Sequence, residues 1–371
     1  MNILIFFPYN QISVEQQSVM KMLKEKRHNV TLLTLTPWGP LHDKVCTYGI
    51  EAFSTGQGEV FSIKRIRNSA RMLKQLCSEQ KIDLLLVHQQ LCAIVLILAG
   101  RELRARAFYF RHNTDEDYNK NYFKAFILNR FINTFIKKFV APSDAVYRFL
   151  LNKEGVPADK IQRINYGYDF DLYGIPDIGN VNAIKEQYSC KLLVISIARF
   201  VEAKRHREMF EVIHRCIVKG YDIKMICLGD GALRQAMEEE IKLQKLEDKI
   251  FLLGRKSNVL DYLTAADVLL HLSDSEASNS VAKEAALCHT PAIVCEDVGD
   301  FSDYIVQKRN GFLVDKNEPV AGAAEILYNA GSGAINLNEA GDNAYQSITA
   351  HFSINNVQEH YQELIDNARK Y

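Results

Sequence analysis

Short apolar runs alternate with segments of helical periodicity along the first half of the chain. The runs contain few polar residues, which is typical of strands buried on both faces of a parallel sheet. They occupy residues 3–7, 29–34, 83–88, 107–110 and 139–143. Because strands and helices alternate, the pattern predicts a doubly wound α/β domain.

The same alternation starts again after residues 175–180, where proline, glycine and asparagine indicate a linker. The apolar runs of this second half occupy residues 192–197, 224–228, 250–253, 268–271 and 292–295. We therefore expect two Rossmann-like domains, at 1–174 and 181–350, and a C-terminal helix within 351–371 that packs back toward the first domain. In this α/β architecture the two domains face a cleft at the carboxyl ends of their strands, where ligands bind.

Composition supports an ordinary globular protein. Of 371 residues, 47% are hydrophobic and 24% are charged. The net charge of zero hides an asymmetry, because residues 1–172 carry 24 Lys/Arg against 16 Asp/Glu, a net charge of +8. The remaining residues carry the opposite charge. The first half is therefore expected to meet an anionic partner, and nothing in the chain indicates nucleic acid.

The cysteines and the N-terminus predict a cytoplasmic protein. None of the eight cysteines has C-x-x-C spacing, and several lie in apolar runs, so we expect small core residues in a reducing compartment. The first residues lack the basic region of a signal peptide. The longest apolar run, 91–100, is too short to cross a bilayer and predicts a core helix.

Two glutamates, Glu276 and Glu284, are the most informative pair of residues. They follow the apolar run 268–271, and Ser278, Asn279 and Ser280 between them favour a helix start. Ionised carboxylates accept hydrogen bonds from sugar or ribose hydroxyls. The helix start offers N–H groups and a positive dipole end to a phosphate. This combination points to a nucleotide-sugar, although alone the two acids could equally be surface residues beside a helix.

Other candidate binding residues follow the earlier strands of the second domain. Arg199 and Lys204 come after the first of them and could neutralise a diphosphate, or could simply be solvated charges. Gly229-Asp230-Gly231 permits close backbone approach to a ligand, a weak signal by itself. Arg255 and Lys256 follow the third strand, at its carboxyl end, where the edge of a nucleobase could contact backbone groups.

Taken together, these segments resemble a known family. The order and spacing are shared by Arg199…Lys204, Gly229-Asp230-Gly231, 251–254, Glu276…Glu284, 288–291, 297–299 and 310–314. The series closely resembles the C-terminal domain of retaining glycosyltransferases of family 4, which have the two-Rossmann GT-B fold. The resemblance covers residues 190–320. Shorter similarities reach the first domain at Arg111-His112, Ala141-Pro142-Ser143 and 165–169.

The resemblance implies a role for each matching residue. Arg199 and Lys204 would bind the donor diphosphate and stabilise the leaving group. Glu284 would bind the ribose, and Glu276 the transferred sugar. His112 would lie across the cleft near the reactive carbon, or would be an ordinary loop histidine. The remaining donor contacts would come from Gly229, Asp230, Gly231, Arg255, Lys256, Ala277, Ser278, Asn279 and Ser280.

The resemblance also implies a reaction without metal or other cofactor. The donor would be UDP- or GDP-linked, and the cations would provide the charge stabilisation that a metal provides elsewhere. Asp169-Phe170-Asp171 has the spacing of a metal-binding pair, but a turn cap is the better interpretation.

Several glycines of the related family are replaced in this chain. Residues 9–12, after the first strand, contain no glycine where relatives often have Gly-Gly. Ala198, Arg205, Ala277 and His289 stand at other usual glycine positions. Because histidine tolerates a left-handed conformation at modest cost, we expect His289 to cap a helix in that conformation.

The segment between Tyr118 and Phe139 predicts a basic, aromatic amphipathic helix. Its apolar residues include Phe123, Phe126 and Phe131, and its cations are Lys120, Lys124, Arg130, Lys137 and Lys138. Such a helix can lie at the surface of an anionic membrane. The alternative is a helix whose apolar face packs on its own sheet. The basic first half favours membrane contact through the flanking cations.

The function predicted from the sequence is transfer of a sugar from a nucleotide diphosphate donor to a hydroxyl, with retention. A glycan or lipid-linked acceptor, as in surface polysaccharide or glycolipid synthesis, fits the resemblance and the basic first domain. The expected location is cytoplasmic, with possible peripheral contact at the inner face of the cell membrane. Two alternatives stay open: a non-catalytic nucleotide-sugar-binding protein, and an epimerase or phosphorylase with the same fold.

Overall fold

The computed structural model describes residues 1–56, 62–112 and 121–369. The chain forms two compact units. The first contains Met1–Tyr173 together with Phe352–Tyr371, and the second contains Gly174–His351.

The first unit is built on a seven-stranded parallel sheet. Its strands are β1 Asn2–Phe7, β2 Asn29–Thr34, β3 Glu51–Ser54, β4 Leu84–His88, β5 Ala107–Phe110, β6 Phe139–Ala141 and β7 Ile161–Arg163. Their order in the sheet is β3-β2-β1-β4-β5-β6-β7. The helices are α1 Val14–Glu25, α2 Pro40–Cys46, α3 Ile63–Glu79, α4 Gln89–Ala99, α5 Arg101–Ala105, α6 Tyr122–Phe135 and α7 Asp144–Arg148.

The second unit repeats this architecture with six parallel strands. They are β8 Leu192–Ile197, β9 Ile223–Leu228, β10 Ile250–Gly254, β11 Val268–His271, β12 Ala292–Cys295 and β13 Phe312–Val314. Their order is β10-β9-β8-β11-β12-β13. The helices are α8 Ile178–Gln187, α9 His206–Val218, α10 Arg234–Leu243, α11 Val259–Ala265, α12 Ser280–Leu287, α13 Phe301–Tyr304, α14 Pro319–Gly331 and α15 Leu337–Phe352.

The last helix, α16 Ile354–Arg369, belongs to the core of the first unit. Val357, Tyr361, Leu364 and Ile365 are buried in the cluster that contains the apolar side chains of β1 and β4. Just before this helix, Ser353 forms an isolated parallel β-bridge with Tyr168 of the first unit. The burial of these four side chains against residues from the start of the chain holds the C-terminal helix on the first sheet.

The predicted fold class is confirmed, with two doubly wound α/β sheets. Each strand predicted from the apolar runs is present, and three more strands, β3, β7 and β13, were missed. All three lie at sheet edges and have three or four residues. A run of three or four residues is shorter than the apolar run that identifies a buried strand, so these strands were missed.

Strand order reverses between β1 and β4 in the first sheet and between β8 and β11 in the second. Helices leave opposite faces of the sheet at such a point, and a crevice forms at the carboxyl ends of the strands. The residues just after β8 and β11, and after β1, β4 and β5, are therefore the ones that each unit presents to a ligand.

The predicted amphipathic helix is α6, although residues 113–120, including Tyr118 and Lys120, lie outside the described residues. Only Ala125, Asn129 and Ile132 of α6 are buried. The alternative prediction, that the apolar face packs on its own sheet, is wrong for the large side chains. The exposed ones are Tyr122, Phe123, Phe126, Ile127, Phe131 and Phe135.

No helix in the described part of the chain has the length and apolar composition that a membrane span requires. The run predicted as a core helix is α4, whose apolar side chains are mostly buried. All eight cysteines are free thiols, and five of them are buried: Cys77, Cys92, Cys216, Cys227 and Cys295. Burial raises the pKa of the Cys216 thiol to about 12, so this side chain behaves as a small apolar group.

Two positions that carry glycine in the related family have left-handed backbone here. His289, just after α12, has φ 58°, and Arg205, before α9, has φ 52°. The predicted left-handed His289 is confirmed. Its ring stacks on Tyr345 at 4.6 Å, and Nδ1 lies 2.7 Å from Asp342 Oδ1. Arg205 Nη1 donates to the Lys316 carbonyl at 2.6 Å. Side-chain contacts thus offset the strain that glycine would avoid.

We predict that His289→Gly is more stable than His289→Ala by about 1 kcal/mol. Both variants lose the stack and the Asp342 contact, but alanine keeps the left-handed strain. Urea unfolding of both variants measures the difference. The glycine and alanine substitutions at Glu239, an exposed position inside α10, are the control. There the alanine variant should be the more stable by about 1 kcal/mol. Equal stability of the two His289 variants would show that the backbone there is unstrained.

Candidate functional site

The candidate site of the second unit lies where β8 and β11 end. Arg199 follows β8 by two residues and is exposed, and its side chain has no hydrogen-bond or ion-pair partner among the described residues. Lys204 ends the short turn Glu202–Lys204. Its ammonium contacts Glu276 Oε1 and lies 3.4 Å from Ser273 Oγ. The two predicted phosphate ligands therefore differ: Arg199 is open to a ligand, and Lys204 is held by a carboxylate.

Glu276 Oε1 is the centre of this cluster. Besides Lys204, His271 Nε2 donates to it at 2.7 Å and Asn279 Nδ2 donates at 3.1 Å. Burial raises the pKa of Glu276, but the hydrogen bond from His271 and the charge of Lys204 outweigh it and hold the pKa at about 2. Glu276 is therefore ionised at neutral pH. All three contacts use Oε1, so Oε2 keeps its capacity to accept hydrogen bonds.

The helix start between the two glutamates is α12, whose N-cap is Asn279. Asn279 Oδ1 accepts from the Ala282 N–H at 2.8 Å. The side chain thus joins the helix start to the Glu276 carboxylate. This geometry agrees with the N-cap preference of the sequence.

A buried ion pair lies next to this helix start. Lys283 Nζ and Asp300 Oδ2 are 2.6 Å apart, and both side chains are almost fully buried. Asp300 also accepts from Ser278 Oγ at 2.5 Å and from the Asn279 N–H at 3.2 Å. The side chain of Ser278 and the N–H of Asn279 are therefore used inside the unit. The predicted phosphate contacts narrow to the remaining N–H groups, among them that of Ser280.

The absence of side chains at Gly229 and Gly231 lets the loop after β8 pack closely against them. A Cβ on Gly229 would lie 1.9 Å from the Ala198 carbonyl oxygen, and one on Gly231 would lie 2.5 Å from that of Phe200. The segment that carries Arg199 therefore packs directly on the end of β9. Asp230 Oδ1 accepts from the Gly231 N–H at 2.8 Å and stabilises this turn.

The other predicted donor-binding residues are spread around the centre. Glu284 lies half-buried within α12, and Ala277 lies half-buried just before its N-cap. Arg255 and Lys256 are exposed after β10, the edge strand. Two strands separate β10 from β11, so these two cations are the most distant members of the predicted set. The structure brings together Lys204, Glu276 and Asn279.

Sequence reasoning missed His271, Lys283 and Asp300. A signal existed for His271, because a polar residue ends an otherwise apolar buried strand just before Glu276. His206, the first residue of α9, was also missed. It is buried, and its two ring nitrogens have no hydrogen-bond partner in the described part of the chain. Burial and the charges of His271 and Lys204 lower the pKa of His206 to about 4.

The first unit places His112 in a different set of contacts. His112 Nε2 lies 2.9 Å from His88 Nδ1, and His112 Nδ1 contacts the Tyr166 hydroxyl. These three side chains line a pocket at the carboxyl ends of β1, β4 and β5. Burial and the charge of Arg111 lower the pKa of His112 to about 3, so its ring is neutral.

Within the described residues, no group of three or more His, Cys, Asp or Glu side chains is arranged to hold a metal ion. Asp169 instead caps the turn Phe170–Leu172, with Oδ1 accepting from the Asp171 N–H at 3.2 Å. Asp169 Oδ2 also pairs with Lys21 Nζ at 2.6 Å. The interpretation of this Asp-x-Asp segment as a turn cap is confirmed.

Comparison with known proteins gives two family models that match successive parts of the chain. Residues 17–172 match the model described as Glycosyltransferase Family 4, and residues 180–346 match Glycosyl transferases group 1.

The named relatives are glycosyltransferases or sugar-transferring synthases that align with this chain over only part of their length. N-acetyl-alpha-D-glucosaminyl L-malate synthase of Bacillus anthracis is 23% identical over 63% of this chain and 62% of its own. A Campylobacter jejuni N-acetylgalactosaminyltransferase that acts on a diphospho-undecaprenol acceptor is 26% identical over 48% of this chain and 47% of its own. The alignments thus span less than two thirds of these relatives.

Solved structures match over nearly the whole chain. Anabaena HepE in complex with UDP superposes with a TM-score of 0.81 at 18% identity, covering 99% of this chain and 100% of that one. A glycosyltransferase from Rickettsia africae gives a TM-score of 0.79 at 20% identity, covering 100% and 99%. From the two family models and this shared fold, the chain belongs to family 4 of the glycosyltransferases and has the GT-B fold.

Proposed function

We propose that this protein transfers a sugar from a nucleoside diphosphate donor to a hydroxyl acceptor, with retention at the anomeric carbon. The observation that carries the proposal is the cluster of Lys204, His271 and Asn279 on one oxygen of Glu276, beside the unpartnered Arg199. A partly buried, ionised carboxylate with a second oxygen available is suited to hold sugar hydroxyls.

Arg199 and Lys204 supply the positive charge that the departing diphosphate needs. The Arg199 side chain is exposed, and among the residues that the structure describes it has no hydrogen-bond or ion-pair partner to give up when it binds a phosphate. Lys204 is already held in place by Glu276, so its position costs little reorganisation during the reaction. The remaining N–H groups at the start of α12 add a positive dipole end.

Glu284 is assigned to the ribose of the donor, because it lies further along α12 than the phosphate-facing end. UDP is the first nucleotide to test, since solved neighbours were crystallised with UDP and UDP-glucose. A lipid-linked or glycan acceptor is proposed, since one relative is named for a diphospho-undecaprenol acceptor. The charge neutralisation assigned to Arg199 and Lys204 requires no metal ion.

Incubation with a panel of UDP- and GDP-sugars tests the activity. We expect slow release of nucleoside diphosphate without acceptor, because water can replace the acceptor hydroxyl. Tight binding of a nucleotide-sugar with no turnover, even with acceptor extracts, would instead support a non-catalytic binding protein. The glycine-free loop after β1, residues 9–12, is the feature that favours this second candidate.

We predict that Arg199→Ala lowers turnover about 100-fold and leaves the unfolding temperature unchanged. An electrostatic contact made mainly in the transition state costs this much when removed, and the Arg199 side chain has no hydrogen bond or ion pair to the described residues to lose. Steady-state release of nucleoside diphosphate measures the effect.

Arg255→Ala is the matched control, since Arg255 is also an exposed cation after a strand but lies at the sheet edge. It should reduce turnover much less. An equal loss in both variants would indicate a general charge effect, and wild-type turnover in Arg199→Ala would contradict the assigned role.

We also propose that the protein works in the cytoplasm and binds the inner surface of the cell membrane through α6. This helix exposes six large apolar side chains and contains no acidic residue. The exposed Lys124, Arg130 and Lys137 flank the aromatic residues. Lys153 Nζ lies 5.9 Å from the ring centre of Tyr122. An apolar strip with cations at its edges is complementary to anionic lipid headgroups above acyl chains.

Vesicle sedimentation at low salt tests this contact. We predict binding to vesicles that contain anionic phosphatidylglycerol, and about a 30-fold loss of affinity for Phe123→Ser, because burying one phenyl ring contributes about 2 kcal/mol. Leu243→Ser is the control, since Leu243 is 84% exposed and Phe123 is 72% exposed. Equal binding to neutral vesicles, or an equal loss in the control, would contradict the proposal.

A further inference from the structure

Trp38, the only tryptophan of the chain, lies at the carboxyl edge of the first sheet. It stands in the loop between β2 and α2, and β2 is the strand beside β1. The indole is 52% exposed, although tryptophan is on average a highly buried residue. The loop after β1 also exposes Tyr9 and Ile12. This end of the sheet therefore presents apolar surface at the place where a ligand enters an α/β domain.

The indole is held in one orientation by the residues behind it. Its ring stacks on that of His42, with centroids 4.7 Å apart and planes at 21°. His42 is fully buried, and both of its ring nitrogens are used. The Gly39 N–H donates to Nδ1 at 3.0 Å, and Nε2 lies 2.9 Å from Thr34 Oγ1. The indole N–H donates to Asp43 Oδ1 at 2.7 Å. Because His42 covers one face of the indole, the exposed surface lies on the opposite face and at the rim.

The loop after β1 fixes the backbone that carries Trp38. Asn10 Nδ2 donates to the Pro37 carbonyl at 2.8 Å, and the Asn10 carbonyl accepts from the Leu41 N–H at 2.8 Å. A Cβ on Gly39 would lie 2.5 Å from Asn10 Nδ2. The loop without glycine thus supplies a side chain that holds the residues on both sides of Trp38. Little conformational freedom is left to lose when a ligand covers the ring.

The groups around the ring favour a sugar as the ligand. A pyranose presents C–H groups on its face and hydroxyls around its edge, and the electron-rich face of an indole attracts such C–H groups. Asp43 uses only Oδ1 within the described residues, so Oδ2 can accept a hydrogen bond from a hydroxyl at the edge of that sugar. The same carboxylate repels the phosphates of a nucleotide and the headgroups of an anionic membrane.

We propose that Trp38 is a stacking platform for a sugar ring of the acceptor substrate, and that Asp43 accepts a hydrogen bond from a hydroxyl of the same ring. Asn10 and His42 are positioning residues that hold the platform. The acceptor is then a glycan, free or lipid-linked, and not a bare lipid hydroxyl. The inference rests on the proposed transferase function only in naming this sugar as the acceptor's.

Tryptophan fluorescence of the full chain reports this ring alone, because the chain has no second tryptophan. The probes are the methyl glycosides of glucose, galactose, mannose, rhamnose and N-acetylglucosamine. We expect at least one of them, at about 20 mM, to lower the acrylamide quenching constant about twofold, since a stacked sugar covers the exposed face. Sorbitol has hydroxyls but no ring and should not protect the indole. Unchanged quenching with every glycoside would overturn the proposal.

A tryptophan moved to another surface position shows whether the protection is local. Leu98, on α4, is 52% exposed like Trp38 and lies outside the loops that carry the platform. In the double variant Trp38→Phe/Leu98→Trp, the fluorescence comes from position 98, and no glycoside should reduce its quenching. Protection equal to that of the wild type would show a general effect of sugar and would contradict the proposal.

Steady-state kinetics connect the platform to the reaction, with the protecting glycoside as acceptor. We expect Trp38→Ala to raise the KM for the glycoside about tenfold and to leave the KM for the nucleotide-sugar unchanged, since only an aromatic contact to the acceptor is lost. Trp38→Phe keeps an aromatic face and should stay within about threefold of the wild type. Leu98→Ala, matched for exposure, should change neither KM. A wild-type glycoside KM in Trp38→Ala would overturn the proposal.

The proposed reaction and the proposed sugar site fail in different ways. Turnover of a nucleotide-sugar without protection of Trp38 by any glycoside would overturn the sugar site alone. Protection of Trp38 without turnover of any donor would contradict the proposed transfer reaction and leave the sugar site supported.

Discussion

One carboxylate oxygen, Glu276 Oε1, joins the parts of the second unit that matter for chemistry. It receives the ammonium of Lys204 from the turn after β8, His271 from the end of β11, and Asn279 from the N-cap of α12. Three elements thereby share one anchor, and Lys204 reaches it from a turn 72 residues earlier in the chain. Because the carboxylate is charged and only 13% exposed, the loss of any partner leaves a poorly compensated charge. Glycine at 299 is part of this constraint, since a Cβ there would lie 2.7 Å from that of Glu276.

The ion pair of Lys283 and Asp300 secures the same helix start from inside the unit. A buried pair of this kind contributes little net stability, but removing one partner costs about 3–5 kcal/mol. Asp300 also uses the hydroxyl of Ser278 and the N–H of Asn279, so its charge is fully hydrogen-bonded. The cluster around Glu276, which faces a ligand, therefore depends on the buried cluster around Asp300, which does not face a ligand.

The two units repeat one device at equivalent points. β4 and β11 are the strands next to the reversal in their sheets, and each ends in a histidine. His271 donates to a carboxylate, while His88 pairs with another imidazole. The first arrangement keeps a negative charge in place. The second keeps two rings neutral and coupled. Similar backbone positions thus support different chemistry because their neighbours differ.

Much of the fold and the identity of the central glutamate followed from the sequence. Continuous apolar runs of four to eight residues bounded by turn residues favour buried strands, so the ten interior or long strands were predictable, whereas the edge strands β3, β7 and β13 are too short to give this signal. The spacing of Arg199, Lys204, Glu276 and Glu284 pointed to the donor site, and His289 could be predicted as a left-handed cap.

The sequence did not predict which side chains contact each other. The contact between His271 and Glu276 depends on how the loop after β11 folds back, and that between His88 and His112 depends on strand order and ring orientation. Likewise, helical spacing defined the apolar face of α6, but only the packing of Ala125, Asn129 and Ile132 against the unit decided that its aromatic side chains face outward. A periodic pattern specifies which residues share a face, and the three-dimensional packing of the chain determines which face is buried.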